Sequence, residues 1–547
     1  MARSRTFDNT FFVRLFCALL CLSFVACGDG SVELSSERSE EGSSRGVTLR
    51  IVSGSENKAL EPLIEDFARR QGATIDVDYL GSVDISLGLE QGAGLEYDAV
   101  WPANSLWIVL GDTQNVVKHE KSILRSPVVF GVRKSLAQEL GWTERDVRVE
   151  DVLDAAESGR LRFAMTSATQ SNSGASAYFG FLSALAGSPE VLTGDDLDDA
   201  TMRSKVGRLL RAVDRSSGSS GWLAEMFLER WPRFDAMVNY EAIIIETNRE
   251  LEARGHEPLW TVYPVDGLTI ADSPLGYVDK GDGAKERLFL DLQEYLLSDR
   301  VQQRISELGR RTGLVGLAAA DPRVFRADWG IDTERVISPV PVPEEPVVRA
   351  ALELYQTSLR KPSLTAYVLD FSGSMRGEGE KDLKDAMTTL LDPEIAKRYL
   401  LQPSETDIHI VVPFDGKPRR TWTAVGNDPA VLSELLGRVL EESSGGGTNI
   451  YRGTAVALQQ MAAYEDRMGD YFPAVILMSD GRSQSGDGVL EAARRNLSFG
   501  QDVPIFTIAF GKADPRQLEA LSESSAARSF DAKGDLVKAF RKAKGYN

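Results

Sequence analysis

The sequence predicts an α/β fold that occurs in two separate parts of the chain. In residues 47–330, β-branched runs alternate with segments of helical periodicity, which is typical of a mostly parallel sheet covered by helices. In residues 363–547, two apolar strand-like runs each end at an aspartate, Asp370 and Asp480. At 547 residues the chain is also too long for one compact core, so we expect more than one domain.

Composition places the chain among ordinary globular proteins. Hydrophobic residues make up 42% and charged residues 26% of the sequence, as in folded soluble domains. The formal net charge of −19 disfavours nucleic acid as a partner, although an acidic surface can also serve solubility alone. The histidines His119, His256 and His409 are far apart in the sequence, so a histidine-rich zinc site and most histidine-based acid–base chemistry are not expected.

The first 27 residues are predicted to be an export signal. A basic start precedes an apolar run over residues 11–26, which is typical of a signal peptide. The ending Leu-Ser-Phe-Val-Ala-Cys resembles a bacterial lipobox, which implies lipidation of Cys27 and a membrane anchor. The alternative is plain cleavage after Ala26. Residues 28–46 are rich in serine, glutamate and glycine, and this composition predicts a disordered tether.

Within residues 47–330, polar turns follow the predicted strands. Strand-like runs at 47–52, 74–79 and 97–101 are followed by Ser55, Ser82 and Asn104. Because ligands bind beyond the carboxyl ends of strands in such sheets, these side chains are expected to reach one place. A further turn precedes an apolar helix and contains Ser171, Asn172 and Ser173. It can offer N–H and hydroxyl donors to an anion, or it can simply cap its own helix.

This region resembles the type II periplasmic solute-binding proteins, especially those for sulfate, molybdate and phosphate-like oxyanions. The resemblance rests on the runs 53–59, 97–103, 171–177 and 238–241, and on a return crossing near residues 274–277. It implies two lobes that close on a ligand. The implied ligand contacts are Ser55, Ser82, Asn104, Ser173 and Tyr240, with Ser171 and Asn172 in the same turn. The matching turns contain no arginine, which disfavours a fully charged phosphate.

In residues 363–547, oxygen-bearing side chains follow the predicted strands. The run 363–369 ends at Asp370, and Ser372 and Ser374 follow at alternate positions. Three glycines precede Thr448 and let it approach closely. A later apolar run ends at Asp480. Hard oxygen ligands that converge at one point are what Mg²⁺ requires.

These five positions resemble the metal-ion-dependent adhesion site of von Willebrand factor A (VWA) domains. The pattern is Asp-x-Ser-x-Ser, then a threonine, then Asp-Gly, and all of it is present here. The resemblance implies a doubly wound, Rossmann-like domain with Mg²⁺, or Mn²⁺ or Ca²⁺, at Asp370, Ser372, Ser374, Thr448 and Asp480. It also implies an open coordination position for a carboxylate from a protein partner. The alternatives are a capped turn or a purely structural site.

Alternating prolines in residues 338–346 predict a semi-rigid spacer, or else the edge of a neighbouring domain. A helix from about Val347 to Leu359 follows. The predicted organisation is a signal peptide and lipobox (1–27), a tether (28–46), a solute-binding-like domain (47–330), a linker with a helix (331–362) and a VWA domain (363–547).

These features predict a membrane-anchored lipoprotein of the cell envelope that faces the periplasm or the cell surface. It would bind a small polar or oxyanion-like solute and, through the cation of the VWA domain, a protein partner. The alternative is a solute receptor for an ABC importer, with the VWA domain as a docking accessory. Catalysis is not expected, because the sequence has no Ser-His-Asp order, no paired carboxylates in an obvious cleft and no phosphate-cradling loop.

Overall fold

The computed structural model describes residues 45–313, 320–333, 338–480, 482–483, 485–511, 515–532 and 536–545. These residues belong to one compact unit. The predicted signal peptide, Cys27 and nearly all of the predicted tether lie outside the described residues. Within the described ranges, no helix is both long enough and apolar enough to cross a bilayer.

The strands form three sheets. In chain order they are β1 (Thr48–Ser53), β2 (Thr74–Tyr79), β3 (Ala99–Trp101), β4 (Val117–Ser122), β5 (Ser126–Arg133), β6 (Phe163–Thr166), β7 (Val213–Ser217), β8 (Ala236–Tyr240), β9 (Leu259–Val262), β10 (Thr269–Ala271), β11 (Pro274–Val278), β12 (Ser363–Asp370), β13 (Ile408–Phe414), β14 (Trp422–Val425), β15 (Phe472–Ser479), β16 (Ile505–Ala509) and β17 (Ser529–Asp531).

Helices connect most of these strands. They are α1 (Glu61–Gln71), α2 (Ser82–Leu89), α3 (Leu106–Gly111), α4 (Lys134–Glu139), α5 (Val149–Glu157), α6 (Asn172–Leu185), α7 (Gly194–Asp198), α8 (Ala200–Arg211), α9 (Ser220–Glu229), α10 (Glu241–Ala253), α11 (Gly283–Leu297), α12 (Asp299–Glu307), α13 (Glu345–Leu354), α14 (Glu378–Leu391), α15 (Pro393–Arg398), α16 (Pro429–Glu441), α17 (Ile450–Met461), α18 (Gly488–Asn496), α19 (Pro515–Glu523) and α20 (Leu536–Lys544).

The first lobe is built on the sheet β2-β1-β3-β11-β4. Strands β1, β2 and β3 are parallel, whereas β11 returns from far along the chain and pairs antiparallel with β3 and β4. The periodic apolar residues of α1, including Leu63, Ile64 and Phe67, pack in the same hydrophobic cluster as Phe289 of α11. The chain therefore crosses between the lobes after β4 and again before β11.

The second lobe is built on the sheet β10-β5-β8-β6-β7, with β9 paired to β5. Helix α6 is buried along nearly its whole length, because its small and aromatic residues fit between the sheet and α8. Phe130, Phe163 and Phe181 form an aromatic group in this core.

The C-terminal domain is built on the sheet β14-β13-β12-β15-β16-β17, in which only β14 is antiparallel. Its central strands β12 and β15 are buried on both faces, which explains why their sequences are continuous apolar runs. One hydrophobic cluster includes α14, α16 and α20, and a second includes α17, α18 and α19. The predicted fold class, a two-lobed α/β domain followed by a doubly wound α/β domain, is confirmed.

The proline-rich segment between the domains leads into α13, which has Pro346 in its first turn. A π-helical turn, Tyr355–Leu359, continues α13. Val348, Leu352 and Tyr355 join the hydrophobic cluster of the second lobe, so this helix packs as an edge of that lobe.

Candidate functional site

The two lobes meet directly at the carboxyl ends of their strands. Ser55, which follows β1, accepts a hydrogen bond at Oγ from the Ser219 hydroxyl (3.0 Å) and another from the Gly221 N–H (3.2 Å). Ser219 and Gly221 lie in the turn after β7, at the start of α9. The predicted ligand residue of the first lobe therefore contacts the second lobe without an intervening group.

A cluster of hydroxyls lies beside this contact. Ser173 Oγ is 2.8 Å from both Thr166 Oγ1 and Ser220 Oγ, and Ser171 Oγ is 3.1 Å from Ser220 Oγ. All four side chains are buried, and we refer to them as the hydroxyl cluster. Hydroxyls both donate and accept, so the members satisfy one another. Sequence reasoning missed Ser220, although the Ser/Gly-rich run 216–221 after β7 carries the same signal as the turn before α6.

Asn172 and Tyr240 also come together. The Asn172 amide donates to Tyr240 Oη (3.1 Å), and Asn172 Oδ1 accepts from the indole N–H of Trp107 (2.7 Å). Trp107 belongs to α3 of the first lobe, so this chain of buried hydrogen bonds also spans the lobes. It places two more of the predicted ligand residues at the junction.

Ser82 and Asn104 bond to nearby backbone groups. Ser82 Oγ accepts from the Ala103 N–H (3.1 Å), while the Asn104 amide donates to the Ile270 carbonyl (3.2 Å). Asn104 thereby touches the second crossing between the lobes. Solute binding by any of these predicted residues stays a prediction.

Glu56 is a further residue of the cleft that the sequence did not single out. Its Oε1 atom is buried and has no hydrogen-bond partner among the described residues, although part of the side chain is exposed. Burial raises the pKa of Glu56 to about 7, and the charge of Arg310 opposes that rise. A cavity of about 10 Å³ beside it is also lined by Tyr240 and Ser273. Glu56 is therefore partly neutral near pH 7 and can donate as well as accept.

A buried ion pair lies next to the segment that crosses from the first lobe to the second. The Arg311 guanidinium donates to both carboxylate oxygens of Glu241 (2.7 and 2.8 Å). Glu241 also accepts from the Tyr263 hydroxyl. Arg311 pairs through its backbone with Arg125 in the first crossing, so one residue links the first crossing to the start of α10.

The C-terminal domain brings four of the five predicted metal ligands together at the end of β12. Asp370 Oδ1 accepts from the Ser372 N–H (2.8 Å). The Ser374 hydroxyl donates to Asp480 Oδ1 (2.8 Å) and lies 3.0 Å from Ser372 Oγ. We refer to Asp370, Ser372, Ser374 and Asp480 as the aspartate site. Ser479 adds a contact that was not predicted, a hydroxyl that donates to Asp370 Oδ2 (2.6 Å).

The loop that carries Thr448 lies against the aspartate site. The Gly445 N–H donates to the Phe371 carbonyl (2.8 Å), and the Gly373 N–H donates to the Gly446 carbonyl (3.0 Å). Gly446 has a φ of +84°, a left-handed conformation that favours glycine. Gly446 therefore allows the loop to adopt this conformation against the aspartate site.

The electrostatics of the aspartate site fit a divalent cation. Burial raises the pKa of Asp370, and the charge of Asp480 adds to that effect. Burial also raises the pKa of Asp480. Two carboxylates with two hydroxyls beside them are hard oxygen ligands of the kind that Mg²⁺ takes. A cluster of three or more His, Cys, Asp or Glu side chains suited to a metal is not found among the described residues, so the predicted set relies on serine and threonine for its other ligands.

Helix α20 joins the C-terminal domain to both lobes at the edge of the cleft. Arg541 forms an ion pair with Asp84 of the first lobe (2.7 Å). The Arg541 carbonyl accepts from the side chain of Gln170 in the second lobe (2.8 Å). The Gln170 carbonyl in turn accepts from the Val83 N–H of the first lobe (3.3 Å). The end of α20 is therefore in contact with the line where the lobes meet.

Comparisons with known proteins agree with this architecture. The family model described as bacterial extracellular solute-binding protein matches residues 49–311, and the model of the von Willebrand factor type A domain matches residues 366–540. No curated protein matches the sequence.

Solved structures similar to this chain include the sulfate-binding protein SubI from Mycobacterium tuberculosis H37Rv, with 16% identity over 54% of this chain and 94% of that chain and a TM-score of 0.38. The molybdate-binding protein of Azotobacter vinelandii has 14% identity over 49% of this chain and 100% of that chain, with a TM-score of 0.33. Iron-bound HitA from Pseudomonas aeruginosa has 13% identity over 56% of this chain and 98% of that chain, with a TM-score of 0.40. The family matches and the sheet topology together show that this chain joins a bacterial extracellular solute-binding domain to a von Willebrand factor type A domain.

Proposed function

We propose that this protein is a receptor of the cell envelope. Its solute-binding domain takes a small polar or oxyanion-like solute, and its VWA domain binds a protein partner through a divalent cation. Lipidation of Cys27 would hold it at a membrane, facing the periplasm or the cell surface. Binding, not catalysis, is the proposed activity of both domains.

The observation that carries this proposal is the position of α20. Through Arg541 the helix contacts Asp84 in one lobe and Gln170 in the other. A ligand that moves one lobe relative to the other would therefore change the contacts of α20, a helix of the VWA core. A differential contact of this kind is what coupling between two sites requires.

The chemistry of each site supports its proposed ligand. The hydroxyl cluster, with Asn172 and Tyr240, offers neutral hydrogen-bond donors and acceptors to a polar solute. In the VWA domain, Asp370, Ser372, Ser374, Thr448 and Asp480 would hold the cation. A bound Mg²⁺ would supply a coordination position for a carboxylate of the partner.

The match to extracellular solute-binding proteins also favours a second candidate, a solute receptor for an ABC importer with the VWA domain as a docking accessory. In that case a cognate permease would take up solute only when this protein is present. The contact of α20 with both lobes favours the first candidate, because it gives the VWA domain a direct contact with the solute-binding cleft.

The test is a calorimetric titration of Mg²⁺ and Mn²⁺ into residues 28–547, with the wild type beside Asp370→Ala. We expect heat of binding in the wild type and none in the variant. Asp385→Ala is the matched control, since Asp385 is an exposed carboxylate of the same domain that pairs with Lys381. Equal binding by the wild type and Asp370→Ala would overturn the proposed cation site.

The solute part of the proposal has its own test. Sulfate and molybdate are titrated into the wild type and Ser173→Ala, with Ser204→Ala of the exposed face of α8 as the control. Loss of binding in Ser173→Ala alone would support a solute site at the hydroxyl cluster. Binding that Ser173→Ala leaves unchanged would place the solute elsewhere.

A further inference from the structure

A cavity of about 340 Å³ lies between the second lobe and the VWA domain. Its walls come from both sides: Arg215, Arg230 and Arg233 belong to the second lobe, whereas Lys361 lies two residues before β12 and Phe472 begins β15. Small-molecule pockets generally measure about 300–1,000 Å³. The cavity is therefore large enough for a small organic ligand, and it is separate from both the cleft and the aspartate site.

The lining of this interdomain cavity is positively charged overall. It contains Arg215, Arg230, Arg233 and Lys361 against the carboxylates Asp214, Glu465 and Asp502. Two of these carboxylates already have partners, since Asp502 pairs with Arg233 and Glu465 accepts from the Ser498 hydroxyl. The lining thus has more cationic groups than anionic ones.

Arg215 is the most constrained of these cations. Its side chain is 8% exposed, and its Nε atom is buried without a hydrogen-bond partner among the described residues. Its Nη2 atom donates a long hydrogen bond to the Ala526 carbonyl (3.4 Å). Burial lowers the pKa of Arg215 to about 9, with further contributions from the charges of Arg230 and Arg233. A buried charge is costly unless it is paired.

Lys361 is in a similar position on the opposite wall. It is 7% exposed, and the described residues give it no ion pair. Its ammonium group lies 5.3 Å from the ring centroid of Phe472. Burial lowers the pKa of Lys361. Two nearly enclosed cations therefore line one cavity, and neither forms an ion pair with a described residue, although the charge of Asp214 acts on both.

We propose that the interdomain cavity binds a small organic oxyanion, a phosphate ester or a carboxylate, through Arg215 and Lys361. Arginine and lysine are the side chains that recognise such groups, and the hydrogen bonds that they donate to anions are strong. Tyr471, Phe472 and Phe499 supply apolar surface for the organic part of the ligand. Arg215 belongs to the second lobe, Lys361 lies at the end of the linker, and Phe472 belongs to the VWA domain, so the bound anion lies at the boundary between the solute-binding domain and the VWA domain.

The experiment is a titration of phenyl phosphate, benzoate, inorganic phosphate and chloride into residues 28–547, at constant ionic strength, by calorimetry and thermal unfolding. The variants are Arg215→Gln and Lys361→Met, and the control is Arg438→Gln, an exposed arginine of α16 that pairs with Glu434. We expect phenyl phosphate or benzoate to bind more tightly than chloride. Each cavity variant should weaken that binding about tenfold or more, and Arg438→Gln should not.

Lys361→Met adds a second readout. Because burial disfavours the charged lysine and the described residues give it no ion pair, we expect this variant to unfold at a higher temperature than the wild type when no anion is added. At saturating anion the order should reverse. If Arg215→Gln fails to fold, Lys361→Met alone decides the matter. Anion binding that Lys361→Met leaves unchanged, or stabilisation that chloride reproduces in full, would overturn the proposal.

Discussion

The cleft of the solute-binding domain and the aspartate site of the VWA domain lie at equivalent edges of their sheets but differ in hydrogen-bonding chemistry. In the cleft, the Ser173 hydroxyl forms hydrogen bonds with both Thr166 and Ser220. At the aspartate site, Asp370 and Asp480 face a single group of serine hydroxyls, and burial raises the pKa of both carboxyls.

This difference follows from the hydrogen bonds that hydroxyls and carboxylates can make. A hydroxyl donates and accepts, so a set of hydroxyls can satisfy itself when the lobes meet. An ionised carboxylate only accepts, so two carboxylates at one point need donors or a positive charge between them. The cleft can therefore close on itself, whereas the carboxylates of the aspartate site depend on the donors around them.

The largest expected effect concerns the ion pair that supports the closed cleft. Replacing Arg311 with leucine leaves the buried carboxylate of Glu241 without its partner, so we expect the free energy of unfolding to fall by about 3–5 kcal/mol. The measurement is urea unfolding followed by tryptophan fluorescence.

Arg323→Leu is the matched control for this change. Arg323 is 88% exposed and pairs with Asp321, so its loss should change stability by less than about 0.5 kcal/mol. Adding Glu241→Gln to Arg311→Leu should restore part of the lost stability. A fall of less than about 1 kcal/mol for Arg311→Leu would contradict the role assigned to this pair.

The VWA domain contains a buried histidine that should make its stability depend on pH. Burial lowers the pKa of His409 in β13 to about 3, well below its ordinary value of about 6.5. As the pH falls from 6.5 towards 3, the unfolded chain takes up a proton that the folded chain does not, so stability is lost across this window. At pH 4.5 the loss is about 2–3 kcal/mol.

His409→Phe removes this proton uptake. The stability of the variant relative to the wild type should therefore rise by about 2–3 kcal/mol between pH 7.5 and pH 4.5. His256 lies on the surface of the solute-binding domain, and His256→Phe is the control for a histidine-to-phenylalanine change outside the VWA domain. If the stability of His409→Phe relative to the wild type did not change with pH, the lowered pKa of His409 would be contradicted.

Much of the fold was predictable because local sequence determines it. The run 74–79 forms β2 with the predicted bounds, and the run 363–369 forms β12 with Asp370 as its last residue. Strands buried on both faces must be continuously apolar, and this requirement marks them in the sequence. The apolar helix that follows the turn of Ser171–Ser173 begins inside that turn, at Asn172, because polar residues commonly occupy the start of a helix.

The remaining features depend on contacts between residues that are distant in the sequence. Arg311 and Glu241 are 70 residues apart, and Gln170 and Arg541 are 371 apart, so no local pattern indicates either pair. Ser220 could have been predicted, because it lies in a Ser/Gly-rich run like the one that contains Ser171 and Ser173. Glu56 and Arg215 could not, because only the folded chain shows that their polar atoms are enclosed.

A smaller effect is expected in the hydroxyl cluster. Ser220→Ala removes a hydroxyl that contacts both Ser171 and Ser173, and their remaining hydrogen-bonding capacity stays buried. The expected loss of stability is about 1–2 kcal/mol. Ser204→Ala on the surface of α8 serves as the control and should be close to neutral. No loss for Ser220→Ala would show that the cleft does not depend on self-satisfied hydroxyls.

The smallest expected effect is a difference in coupling energy between two ion pairs that α20 makes with the first lobe. Lys538 and Glu96 are 39% and 50% exposed and lie 3.4 Å apart, so their coupling energy should be about 0.2–1 kcal/mol and should fall as salt is added. A double-mutant cycle of Lys538→Met and Glu96→Gln measures it in low and high NaCl. Arg541 and Asp84 are 9% and 17% exposed, so the matched cycle of Arg541→Met and Asp84→Asn should give a larger coupling that salt reduces less. Equal couplings with equal salt dependence would mean that burial does not distinguish the two contacts, and α20 would then be held to the first lobe only by screened surface charge.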